Sequence, residues 1–154
     1  MNRQSRAMVF WIAVLWAAVP LLTHADALKS YDAEVLVIAA SESPGKIDPA
    51  LAKEPALKHR AFRGYRSMTL LKKHRVTLKK GQSIDLALPN GRHLQLALEK
   101  ELSDGRCAVK MAINRPNEDD YVRSVQMVLA RNKPLFQAGQ RWGNKDLILG
   151  IRLR

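Results

Sequence analysis

The sequence predicts a mainly β domain, α+β in the broad sense. The expected form is an antiparallel meander closed as a sandwich or a partly closed barrel, with one short helical element near its start. Three observations predict it. Apolar residues recur with period two from Gly64 onward, turn signals rich in Gly, Asn and Asp separate the runs, and no later segment carries a helical stripe.

The first element is "EVLVIAA", residues 34–40, a short apolar run rich in branched side chains that reads as a buried strand. "SESPGK" follows as a loop. Asp48-Pro49 then supplies an N-cap acceptor and a proline at the first helical position, so a helix starts there. Pro55 breaks it, leaving two turns on each side of a kink or one short helix from Lys53 onwards.

In "SMTLLKKHRVTL" Met68, Leu70, Val76 and Leu78 share parity and are expected to point inward together. Lys79-Lys80-Gly81-Gln82 turns the chain, and Ile84, Leu86 and Leu88 form the next row. Pro89-Asn90-Gly91 is a turn because Asn-Gly accepts positive φ. Leu94, Leu96 and Leu98 come next; after Asp104-Gly105, Cys107, Val109, Met111 and Ile113 make another row. Leu147, Leu149, Ile151 and Leu153 close the chain. Alternation is broken around residues 121–129 and 133–138, where the strands are less sharply defined. No internal repeat or low-complexity segment is apparent.

The first residues describe an address. Arg3 and Arg6 precede the apolar run Ala7–Leu22, and Ala25-Asp26-Ala27 is an A-x-A site, so residues 1–27 read as a secretory signal peptide. The run is shorter than the ~20 apolar residues of a membrane span, so no transmembrane segment is expected after cleavage. Residues 28–154 then form one domain, periplasmic or secreted, large enough to bury a core without staples. Cys107 is the one cysteine, which excludes an intramolecular disulfide. Losing Arg3, Arg6 and Asp26 lowers the formal charge only from +12 to +11, so the basicity belongs to the domain.

Positive charge is densest in "KHRAFRGYRSMTLLKKHRVTLKK", residues 58–80, which holds nine Lys or Arg and no acid. Parity turns Lys73, Arg75 and Lys79 outward beside Ser67, Thr69 and Thr77, while Arg60, Arg63 and Arg66 lie in the preceding connection. Together these six residues are the candidate ligand-binding face, suited to an anionic envelope component or an acidic protein. The competing reading is a solvated face whose lysines discourage edge-to-edge pairing. Nucleic acid is disfavoured: Phe62 and Tyr65 are the only aromatics among these cations, and no recognised nucleic-acid motif appears.

Signals for chemistry are sparse. His59 and His74 each sit between cations, and His93 follows a turn on an outward position, so no metal ligand set is implied. Cys107 lies on an inward row, and Ser41, Ser43 and Ser83 lack a nucleophile-elbow context. "NEDDY", residues 117–121, lacks the order of a calcium loop. Glu99 and Glu101 share one strand face and could pair with basic neighbours across the sheet; a two-carboxylate glycosidase is possible in principle, but nothing selects these two. Trp142, between glycines in "GQRWGNKD", could stack on a sugar but is expected to pack at the core rim. No catalytic residue, metal or cofactor is assigned.

The expectation is therefore an exported, non-enzymatic β-domain that binds or packs against an envelope component through its basic face. The alternative is a secreted hydrolase acting on a polyanionic glycan or nucleic acid, which His93 beside a carboxylate would favour. A structural subunit completed by a partner strand is a third reading.

"KIDPAL" (46–51), "GYRSMTLL" (64–71), "LALPNGRHLQLAL" (86–98) and "DLILGIRL" (146–153) resemble segments of a group of small exported bacterial β-rich proteins with no activity attached to them. The resemblance implies an envelope or secreted β-rich domain and brings no catalytic residue. Where that group has glycines before the last strand, this chain has Gln140-Arg141-Trp142, so this loop is expected to differ.

Overall fold

The computed structural model describes residues 29–115, 117–118 and 120–154. The leader read at residues 1–27 lies outside the described residues, as do parts of the acidic cluster at 117–121. Among the described residues eight strands form two four-stranded antiparallel sheets. The first has the order β2-β1-β8-β7, with β1 Ser30–Ser41, β2 Ser67–Lys79, β7 Leu135–Trp142 and β8 Lys145–Leu153. The second is the meander β3-β4-β5-β6, with β3 Ser83–Ala87, β4 His93–Glu101, β5 Cys107–Asn114 and β6 Tyr121–Leu129. The sheets face each other as a sandwich and do not close into a barrel.

Inward rows from both sheets fill the space between them, including Val35, Val37, Leu78, Leu94, Leu96, Val109, Met111, Leu149 and Ile151. Trp142 packs at the rim of this core, and β7 runs through the segment expected to be a loop. A second core lies on the outer face of the first sheet. There Leu36, Ile38, Ala40 and Ile148 meet Leu51, Leu57 and Phe62 from a helical cap. β1 is thus covered on both faces, which is why its sequence is a continuous apolar run without alternation.

The cap follows from its prolines. Asp48 Oδ1 accepts from the Ala50 amide at 2.9 Å and starts helix α1, Pro49–Ala52. Pro55 ends α-helical bonding and opens a 3-10 turn, Pro55–Lys58, followed by a second at Arg60–Phe62. Burial of Leu51, Leu57 and Phe62 holds the cap down, at about 2 kcal/mol for each side chain. Phe136 of β7 joins them, its ring 6.3 Å from Phe62 at 77°, and lies over Gly150 where a Cβ would collide with it.

One expectation is corrected. Met68, Leu70, Val76 and Leu78 do not share a face, because β2 carries a bulge opposite Val37 and Ile38. Met68 and Leu70 belong to the outer core, whereas Val76 and Leu78 belong to the inner one. An extra residue shifts the period-two pattern by one, and parity before it says nothing about parity after it.

The two hairpins flanking β4 are closed by one turn used twice. Leu88-Pro-Asn-Gly-Arg92 and Leu102-Ser-Asp-Gly-Arg106 share the same bonds: Leu amide to Arg carbonyl at 2.7 Å in both, and Gly amide to Leu carbonyl at 3.1 and 3.0 Å. Asn90 and Asp104 each accept from the Arg amide, and Gly91 and Gly105 both have φ of 77°. This short local repeat is spread too thinly to be seen as a repeat in the sequence.

Candidate functional site: the cation cluster on the first sheet

Beyond the bulge, β2 turns Lys73, Arg75, Thr77 and Lys79 to the outer face of the first sheet. Their ladder partners on β1 are Leu36, Glu34, Asp32 and Ser30. Ser67 and Thr69, expected on the same face, lie before the bulge and point to the other side. On the opposite flank β8 places Arg152 beside Glu34, and Arg154 shares its parity. Five cations and two acids therefore occupy the half of this face that the helical cap leaves bare.

Glu34 organises them. Its side chain is 0% exposed. Oε1 accepts from Lys73 Nζ at 2.8 Å and Arg154 NH2 at 2.8 Å. Oε2 accepts from Arg152 NH2 at 2.6 Å and Nε at 3.2 Å, and from Arg154 NH2 at 2.8 Å. Arg152 also donates to Glu54 of the cap at 3.1 Å, tying cap to sheet. Burial alone would raise the Glu34 pKa, but the hydrogen bonds from Lys73, Arg154 and Arg152 outweigh it and bring it to about 2.

Arg75, directly opposite Glu34, takes no partner among the described residues. Beside it a depression of about 460 Å³ is lined by Asp32, Ala33, Val76, Thr77 and Arg154. Thr77 Oγ1 donates to Asp32 Oδ1 at 3.0 Å, leaving Asp32 Oδ2 without a bond among the described residues.

Arg60, Arg63 and Arg66 lie elsewhere. Arg60 and Arg63 are exposed on the cap, and Arg63 borders an apolar depression of about 270 Å³ with Leu51, Phe62 and Tyr65. The Arg66 amide donates to the Ser41 carbonyl at 2.8 Å, at the far end of β1. From Glu34 to Ser41 is about 23 Å along a strand, nearly three Debye lengths at physiological salt. The six candidate residues thus divide into two separate patches, and only Lys73, Arg75 and Lys79 share the sheet face.

Among the described residues the outer face of the second sheet has no such excess: Lys100 and Lys110 are matched by Asp85 and Glu99. Most of the other cations sit in turns. Glu99 and Glu101 do not form a carboxylate pair. A bulge after Leu98 separates them, Glu99 bonding Gln126 and Glu101 bonding Lys29 at 2.7 Å.

One polar constellation went unseen in the sequence. His93 Nδ1 lies 2.7 Å from Asp85 Oδ1 across the β3–β4 hairpin, and the Tyr121 hydroxyl bonds Asp85 Oδ2. The His93 amide donates to Asn114 Oδ1 at 2.6 Å, and these four residues line a depression of about 370 Å³. Burial would raise the Asp85 pKa; the Tyr121 and His93 bonds outweigh it and hold the carboxyl below its ordinary range. His93 Nε2 takes no partner among the described residues.

Compared with known proteins, the chain matches no family model, no curated protein and no solved structure. Among the described residues no helix is long and apolar enough to cross a membrane.

Proposed function

We propose that this chain is an exported, non-catalytic β-domain that docks onto an anionic polymer of the cell envelope through the outer face of its first sheet. The observation that carries this reading is Arg75. Three other cations saturate the buried carboxylate opposite it, so its guanidinium faces solvent uncommitted. Lys79 lies on the same row, also without a partner among the described residues. A planar, permanently charged fork held on a strand is suited to carboxylate, phosphate or sulfate. The leader-like residues 1–27 support delivery to the periplasm or medium.

The test is retention of residues 28–154 on heparin and on purified envelope polysaccharide across a salt gradient, with anionic liposomes as comparison. Arg75→Gln with Lys79→Gln should elute at clearly lower salt, while Arg60→Gln with Arg63→Gln should elute as the parent does. Lys73 is left in place because it neutralises Glu34. Equal elution of all three proteins would remove the sheet face from consideration.

A second reading, a secreted hydrolase of a polyanionic glycan, draws on the Asp85–His93 pair, since an imidazole fixed through Nδ1 leaves Nε2 available as a general base. Among the described residues Asp85 is the one carboxylate lining that depression, so no second carboxylate flanks a glycosidic bond there. Glycan depolymerisation by the parent chain, lost in His93→Gln, would establish it.

A further inference from the structure

We infer that the depression between Arg75 and Arg154 takes one carboxylated sugar unit of a uronate-type glycan, its carboxylate on the guanidinium groups and its hydroxyls on Asp32 and Thr77. This rests on the anion-binding reading and narrows it to a ligand class.

The lining mixes charges in a way that a simple polyanion trap does not. Arg75 is uncommitted, and Arg154 uses only NH2 on Glu34, so its NH1 and Nε still offer donors toward an oxyanion. Asp32 stands in the same wall, exposed, with Oδ2 unbonded among the described residues. A carboxylate there opposes any anion set against it but accepts readily from a neutral hydroxyl, so the ligand's charge belongs on the guanidinium side and its hydroxyls on the Asp32 side. Thr77 Oγ1, already donating to Asp32, keeps acceptor capacity for a second hydroxyl. A ligand that satisfies all four groups carries an anion and several hydroxyls within a few ångströms, as a uronic acid does. The volume of about 460 Å³ falls in the range of small-molecule sites, and the depression is open to solvent.

The test is calorimetric titration of the intact domain with a three-unit oligogalacturonate and with its carboxyl-reduced, neutral counterpart, alongside retention on dextran sulfate, which carries sulfates and no carboxylate. The charged trimer should bind and the neutral one should not. Arg75→Gln should weaken the trimer about tenfold, the effect of losing one charge-assisted contact. Asp32→Ala gives the deciding sign: trimer affinity falls while retention on dextran sulfate rises, because a repulsive charge has gone. Near-ultraviolet circular dichroism checks that each variant is folded. If Asp32→Ala strengthens both ligands, or the neutral trimer binds equally well, the sugar assignment is wrong. Dextran sulfate retention that depends on Arg75 without any trimer binding would overturn this inference alone. Retention and trimer binding both insensitive to Arg75 and Lys79 would overturn the anion-binding reading with it.

Discussion

Arg75 stands directly across the β1–β2 ladder from Glu34 and makes no bond to it, because Lys73, Arg152 and Arg154 already occupy both carboxylate oxygens. One buried negative charge therefore holds an array of cations that would otherwise repel one another. Glu34→Gln keeps the shape and removes the charge. Lys73 and Arg154, with side chains 43% and 45% exposed, can swing into water; Arg152, at 16%, cannot. The expected loss is about 3 kcal/mol, the lower part of the range for breaking a buried ion pair. Urea unfolding measures it, and a loss below ~1 kcal/mol would place the cluster with ordinary surface pairs.

Acid should reproduce this loss in the parent chain. The folded-state pKa of Glu34, about 2, lies below its ordinary value of 4.5. Its contribution is therefore complete above pH ~4.5 and disappears as pH falls through ~2, amounting to about 3 kcal/mol over the interval. Urea midpoints between pH 6 and pH 2 should fall more steeply for the parent than for Glu34→Gln. Parallel curves would mean that another carboxylate governs acid stability.

Gly150 and Phe136 share one site on the outer face. Any Cβ at position 150 meets the Phe136 ring, which is itself packed edge-on to Phe62. Gly150→Ala should cost about 2 kcal/mol through overpacking. Adding Phe136→Leu should recover part of this, so that the double variant is more stable than the sum of the two changes predicts. Strict additivity would show that the ring moves aside freely.

The Asp85 carboxyl is held low by two partners. Tyr121→Phe removes the hydroxyl bond and should raise the Asp85 pKa toward its ordinary value; His93→Gln should act in the same direction. Carboxylate carbon shifts followed by NMR against pH report both changes. An unchanged titration in both variants would mean that the cluster is not formed in solution.

Much of the strand framework was legible because period two and Gly-centred turns are local properties. The inward rows of β4, β5 and β8 emerged as read, and so did the helix start at Asp48-Pro49 and its interruption at Pro55. What failed were inferences carried across a bulge. One shifted residue in β2 sent Met68 and Leu70 to the opposite face from Leu78, and another in β4 parted Glu99 from Glu101. The candidate site was half visible. Parity turns Lys73, Arg75 and Lys79 outward, but Glu34 is hidden within an apolar run. Its partners Arg152 and Arg154 come from the other end of the chain. Their parity opposite Ile151 and Leu153 already turned them outward, yet nothing local places β8 beside β1. The Asp85–His93 pairing was equally within reach, since the Asn-Gly turn between them brings the two residues onto neighbouring strands.

The β1–β8 ladder has a bearing on the order of assembly. Residues bonded across it, such as Glu34 and Arg152, are 118 positions apart, whereas the β3–β6 meander needs only neighbouring hairpins. Closing so long a loop is entropically slow, and a chain emerging N-terminus first has no β8 to offer until long after β1 has been made. The meander can nucleate early, while β1 waits with its apolar edge exposed for the final nine residues of strand to arrive.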